Sequence, residues 1–182
     1  EALKWYDKAL EILEKVSDPL SPDLATTYNN KGSVYATKGN YTEALRWYNK
    51  ALEIQEKVLD PLSPDLAISY SNKGSVYDDQ GKYEEALKWY DKALEIQEKV
   101  LDPLSPALAT IYNNKGSVYC KQGKYDEALK WLDKALEICV KVSDPLSLDL
   151  AQSYNNKGSV YWNQGKYEEA LKWYDKALEI FE

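Results

Sequence analysis

The stretch Glu43–Glu84, EALRWYNKALEIQEKVLDPLSPDLAISYSNKGSVYDDQGKYE, decides the fold, because nearly the same text recurs along the whole chain. The glycines of its NKGSVY hexapeptide return as Gly32, Gly74, Gly116 and Gly158, a constant step of 42 residues. The closing EALKWYDKALEIFE restates the opening EALKWYDKALEILE almost letter for letter. A self-similar period in the range of 20–50 residues is the mark of a solenoid or array. Such a chain has no single core, only a row of units packed on their neighbours. The opening falls in the middle of a repeat and lacks an initiator Met, which reads as a piece of a longer array.

Each period divides into two helices. In the first half, Ser21–Gly39, Ser21 is suited to cap a helix and Pro22 to occupy its first position, where a missing N–H costs nothing. Asp23 adds negative charge to the first turn, where the helix dipole favours it. Leu24, Tyr28, Gly32 and Tyr35 share one face by helical spacing, and Gly39 closes the helix. This is helix A. In the second half, Tyr41–Pro61, Ala44, Leu45, Tyr48, Ala51, Leu52 and Val58 form an apolar stripe. Asp60-Pro61 ends it, since the residue before proline is driven out of the α region. This is helix B. The DPLSP linker is short, so successive helices pack antiparallel. The expectation is an all-α solenoid of nine helices in one array over residues 1–182. Helix B at 1–16 comes first, and repeats start near 21, 63, 105 and 147.

Glycine within a helix costs about 1 kcal/mol relative to alanine. Its presence in all four A helices therefore implies a close helix–helix approach, with Ala44 and Ala51 as the small residues opposite. The glycine, aromatic and alanine columns are Gly32, Gly74, Gly116 and Gly158; Tyr35, Tyr77, Tyr119 and Tyr161; and Ala44, Ala86, Ala128 and Ala170.

The stretch Tyr28–Ile54, YNNKGSVYATKGNYTEALRWYNKALEI, resembles the tetratricopeptide repeat. The family's small residue of helix A matches Gly32, its following aromatic Tyr35 and its turn glycine Gly39. Its helix B alanines match Ala44 and Ala51, with Tyr48 between them. The period is 42 rather than 34, and Glu56 stands where a proline usually ends helix B, so the chain is similar to the longer kinesin-light-chain-like subclass. A usually apolar helix A position holds Lys31, Lys73, Lys115 and Lys157. Either the stem packs on tyrosine rings with its charge in water or on a carboxylate, or a Lys–acid pair joins helices, with Asp91 and its equivalents as partners.

The resemblance implies a right-handed superhelix whose A helices line a concave groove for an extended peptide or a partner helix. Carried over by position, the groove shows Asn29, Asn30 and Ser33; Ser71, Asn72 and Ser75; Asn113, Asn114 and Ser117; and Asn155, Asn156 and Ser159. A carboxamide both donates and accepts, so such a ladder suits a peptide backbone; the alternative is that each Asn is solvated or bonds the adjacent repeat. Specificity falls to the varying columns Ala36, Asp78, Cys120, Trp162 and Thr37, Asp79, Lys121, Asn163, with Trp162 as the candidate anchor. The series Trp5, Trp47, Trp89, Trp131 and Trp173 suits packing between successive repeats or, alternatively, a cage for a cationic ligand. Lys4, Asp7, Lys8 and Glu11 alternate in sign as a solvated face does.

Composition excludes much else. The net charge is −7 and the isoelectric point about 4.8, against binding to nucleic acid or to an anionic membrane by charge. There is no histidine, hence neither the commonest general base nor the commonest metal ligand. No nucleophile motif or phosphate loop appears, so no enzyme, cofactor or metal site is expected. Cys120 and Cys139 stand too far apart along antiparallel helices for a disulfide, and a reducing, cytoplasmic setting is the simpler reading. The expected role is a protein-interaction scaffold. The rival is a self-associating array, because both ends are B helices without a polar capping helix.

Overall fold

A computed structural model of the chain describes residues 1–142 and 147–180. Among the described residues there are nine α-helices and no strand: α1 (Ala2–Val16), α2 (Pro22–Thr37), α3 (Tyr41–Val58), α4 (Pro64–Asp79), α5 (Tyr83–Val100), α6 (Pro106–Lys121), α7 (Tyr125–Val142), α8 (Leu148–Asn163) and α9 (Tyr167–Leu178). Even-numbered helices are the A helices and odd-numbered ones the B helices. They gather into two compact units, Glu1–Ile96 and Gln97–Glu182, with the boundary inside α5. Residues 143–146, in the fourth linker (DPLSL in place of DPLSP), and the final Phe181-Glu182 lie outside the described residues.

Helix starts follow the cap logic. Ser21, Ser63, Ser105 and Ser147 all hold extended backbone just before an A helix, and proline opens three of the four. Only Ser63 and Ser147 close the side-chain bond, to the amides of Asp65 and Asp149. The A helices end before Gly39, Gly81, Gly123 and Gly165, at φ of 72–76°. Only glycine enters that region without strain. Helix B stops earlier than the Asp60-Pro61 signal. The α3 helix ends at Val58, because Asp60 is taken into a turn of its own, its carboxylate accepting the Leu62 amide at 2.8 Å. Asp18 and Asp102 do the same for Leu20 and Leu104. Val58 is consequently exposed, and the stripe runs instead through Ile54 and Gln55, both buried.

In the first unit, α1, α2 and α3 share one core cluster of Leu10, Leu24, Ala25, Tyr28, Trp47, Ala51 and Ile54. A second cluster joins Ala44 and Tyr48 on α3 to Val76 on α4, flanked by Tyr35, Tyr41 and Leu45. The second unit repeats it with Ala128 and Leu132 on α7 and Val160 on α8. Contacts run in opposite senses along α2 and α3: Lys50 lies over Tyr28, Tyr48 beside Gly32, and Tyr41 near Tyr35. The hairpin is therefore antiparallel. A Cβ at Gly32, Gly74 or Gly158 would sit 2.6–2.9 Å from the ring of Tyr48, Tyr90 or Tyr174. The close approach expected from the glycines is thus a tyrosine ring lying against bare backbone.

One tyrosine column links B to A at fixed spacing. The hydroxyls of Tyr28, Tyr70 and Tyr112 donate to the carboxylates of Glu14, Glu56 and Glu98 at 2.9–3.0 Å. Burial first, and then the carboxylate, pushes each phenol up to about 12 from 10. Above pH 10 the unfolded chain sheds these protons while the folded chain keeps them. The stabilisation is therefore whole below pH 10 and is lost between pH 10 and 12. Urea midpoints should fall steeply across that window, and Tyr70→Phe should flatten the fall.

Candidate binding surface

The lysine column is settled inside the hairpins. The ammonium groups of Lys31, Lys73, Lys115 and Lys157 lie 3.8, 3.7, 3.6 and 4.1 Å from the ring centroids of Trp47, Trp89, Trp131 and Trp173. Those rings also pack against Tyr28, Tyr70, Tyr112 and Tyr154 at 5.5–5.8 Å. These four tryptophans therefore pack on the A helix of their own repeat, Trp47 also sharing a cluster with Leu10 of the preceding B helix, and their cation is the protein's own lysine. Lys31 and Lys157 also reach back to Asp7 and Asp133 on the preceding B helix. Asp7 stays exposed on the alternating surface face while it makes this bond. Lys73 meets Asn49 instead, at 2.6 Å, since this column reads Asp7, Asn49, Asp91, Asp133 and Asp175. Burial, and next the charge of Lys92, holds the Lys73 ammonium below its usual range, with Glu56 opposing. Asn49→Asp should raise stability by up to about 1 kcal/mol, because the Lys73 ammonium then gains a counter-ion in place of a neutral acceptor. An unchanged urea midpoint would show that Lys73 gains nothing from a counter-ion.

The asparagine column divides. Asn29 donates to Ser69 on the next A helix at 3.1 Å, and Asn113 does the same to Ser153 at 2.8 Å. Asn113 is buried and also accepts from Asn156, and Asn156 accepts from Gln152. These carboxamides bridge adjacent A helices. Asn30, Asn72, Asn114 and Asn155 stay at least partly exposed and make no side-chain hydrogen bond among the described residues.

The serine column is mostly spent as well. Ser33, Ser75 and Ser159 bond the backbone oxygens of Asn29, Ser71 and Asn155, and also the hydroxyls of Tyr48, Tyr90 and Tyr174. Ser117 has neither bond: Leu132 stands where its sister hairpins carry tyrosine. Asn113, Asn114, Ser117 and Asn156 come together on a cleft of about 190 Å³ between α6 and α8. Thr110, Asp149, Gln152 and Cys139 also line it. Sequence reasoning missed these four, although Thr110 and Gln152 lie one helical turn before Asn114 and Asn156.

The varying columns sit at the C-terminal ends of the A helices. Trp162 is 56% exposed and meets the Tyr167 ring edge-on at 4.9 Å. Asp79 and Lys121 are exposed. Asn163 donates to Cys120 at 3.4 Å, and burial pushes the Cys120 thiol up. Both cysteines are free thiols. No group of acidic or sulfur ligands among the described residues is placed to hold a metal ion. Among the described residues, no helix is long and apolar enough to cross a membrane.

The family model for the tetratricopeptide repeat matches residues 1–57, 23–99 and 107–182. The chain belongs to the tetratricopeptide repeat family. Solved structures agree with this tetratricopeptide repeat fold. BtubC (BKLC) from P. vanneervenii is 28% identical, with a TM-score of 0.84 over 98% of this chain and 71% of that one. A Podosopora anserina kinesin light chain candidate with nearly identical TPR-like repeats, solved as a single-site variant, is 20% identical, with a TM-score of 0.82 over 98% and 84%. The MamA protein is 24% identical, with a TM-score of 0.65 over 98% and 84%. The two at 20% and 24% identity speak for the fold alone. Curated protein sequences yield no match. Tetratricopeptide repeat proteins generally serve as protein-interaction scaffolds and are typically without enzymatic activity.

Proposed function

We propose that the exposed faces of the A helices bind an extended peptide or a partner helix. The observation that carries this reading is the α6–α8 cleft, where four residues named from the sequence line one concavity. A cleft of that volume is too small for a drug-sized ligand, which needs about 300 Å³ or more, but it seats a side chain. The free carboxamides of Asn30 and Asn72 give the first unit comparable contacts on α2 and α4. Trp162 remains the anchor candidate at the end of α8, since exposed tryptophan is enriched among binding hot spots. Peptides selected from a random display library against the chain should bind the Asn72→Ala/Asn114→Ala double variant at least tenfold more weakly. Selected peptides indifferent to that change would count against the surface.

A second reading is self-association through the apolar faces that α1 and α9 leave exposed in this stretch of chain. Trp5 and Ile12 on α1 are 69% and 60% exposed, and Leu171 and Leu178 on α9 are 54% and 59% exposed, whereas Trp47 and Leu52 in the equivalent first-unit hairpin are buried. Light scattering across a concentration series separates the two readings, because a strict monomer disposes of the second.

A further inference from the structure

The α6–α8 cleft differs from the other A-helix positions in one respect that bears on what it recognises. Ser33, Ser75 and Ser159 each use their hydroxyl twice, on a backbone oxygen one turn back and on a helix B tyrosine at 3.0–3.4 Å. At the third hairpin the tyrosine is Leu132, fully buried against Gly116, and no phenol reaches Ser117. The Ser117 hydroxyl and the Asn114 carboxamide both line the cleft, both are partly exposed, and neither makes a hydrogen bond among the described residues.

Their neighbours fix the electrostatics. Asn113, Asn156 and Gln152 satisfy one another and Ser153. Thr110 bonds the oxygen of Pro106. Among the described residues no lysine or arginine lines the cleft, and the one charged group there is the Asp149 carboxylate. Pro106, Ala109 and Ile138 supply apolar wall. A space of about 190 Å³ corresponds to roughly six waters at ~30 Å³ each, the scale of one side chain.

We propose that this cleft is a specificity position that seats an uncharged amide of a bound peptide, paired with Asn114 and Ser117. The carboxamide of Asn114 offers one donor and one acceptor to a second amide, and the Ser117 hydroxyl adds a third bond. A carboxylate finds no cation here and faces Asp149, so an acidic residue is rejected. The amide is the side chain of an Asn or Gln residue, because the space is that of one side chain and a backbone amide, present at every peptide position, would discriminate nothing. Leu132 is the determinant, because a tyrosine there recruits Ser117 into the hairpin as its three sisters do.

This inference rests on the A-helix surface proposed above, and the experiment keeps the two apart. Peptides selected against the intact chain are measured by fluorescence anisotropy against the native chain and its Leu132→Tyr, Asn114→Ala and Asn72→Ala variants. Leu132→Tyr folds, since three sister hairpins carry tyrosine against glycine. The expected result is a three- to tenfold loss with Leu132→Tyr and a loss of tenfold or more with Asn114→Ala. In the peptide, replacing one Asn or Gln by its acid should give the same loss, and a loss seen only on N-methylating a backbone position overturns the inference. Peptides that lose affinity with Asn72→Ala or Asn114→Ala but not with Leu132→Tyr, or that need an acidic residue at the cleft, overturn the inference and leave the surface standing. Peptides indifferent to all three variants overturn both.

Discussion

Replacing Gly74 by leucine should cost roughly 3 kcal/mol, at the upper end of the range for overpacked interiors. The first added atom already collides: a Cβ there stands 2.9 Å from Cδ1 and Cε1 of Tyr90 and 3.3 Å from the backbone oxygen of Ala86. Neither can yield. Tyr90 is 1% exposed and its hydroxyl is bonded to Ser75, and the oxygen belongs to the helix ladder of α5. Leucine is the better helix former by about 0.8 kcal/mol, which offsets only part of the strain. Gly81 in the same repeat is the control. Nothing lies within 4 Å of a Cβ there, but its φ is +72°, so Gly81→Ala should cost about 1 kcal/mol through backbone strain alone. Urea denaturation of both variants checks the order, and a Gly74→Leu midpoint equal to that of the native chain would mean α4 and α5 do not meet as described.

Trp47→Ala should be as damaging, at about 3–5 kcal/mol. The indole fills the junction of α2 and α3, packs on Tyr28 at 5.5 Å and lies under the Lys31 ammonium at 3.8 Å. Removing it opens a cavity and takes away a cation–π contact worth about 1–2 kcal/mol at a desolvated site. Trp47→Phe separates these effects. It keeps an aromatic face beneath Lys31 and removes an indole N–H that has no partner, so it should lose far less. Because a repeat array unfolds locally, hydrogen exchange should show the alanine variant loosened in α1–α3, with the second unit unchanged. Equal losses for alanine and phenylalanine would argue that the ring face does not hold the lysine.

Period and composition were enough to read nine helices, their antiparallel order and the purpose of the internal glycines. Each of those follows from local pattern, and every repeat states it again. The ends of the B helices were less legible. Asp60-Pro61 marks where a helix cannot continue, but the turn built on the Asp60 side chain withdraws the chain two residues sooner. The lysine column was readable only as two alternatives. The structure joins them: the ammonium lies on an aromatic ring, tryptophan rather than tyrosine, and Lys31 and Lys157 also meet a carboxylate on the preceding B helix. The asparagine column looked uniform in sequence and is not. Asn29 and Asn113 are committed to the next A helix because Ser69 and Ser153 stand within reach, a pairing set by three-dimensional neighbours 40 residues away. The free Ser117 was legible in principle, since Leu132 is visibly the exception in a tyrosine column. What was missing was the knowledge that the tyrosine hydroxyl points at the serine.

The lysine staple has a consequence for how such an array tolerates shortening. Lys31 and Lys157 find their carboxylates on the helix before them, Asp7 and Asp133, and their covering rings on the helix after them, Trp47 and Trp173. Trimming from the front by deleting α1 strands a covered cation without its acid. Trimming from the back by deleting α9 uncovers Lys157 to water and leaves Asp133 beside it. The stack therefore has a polarity that its near-identical copies conceal: each of these lysines takes its charge partner from the helix before it and its cover from the helix after it.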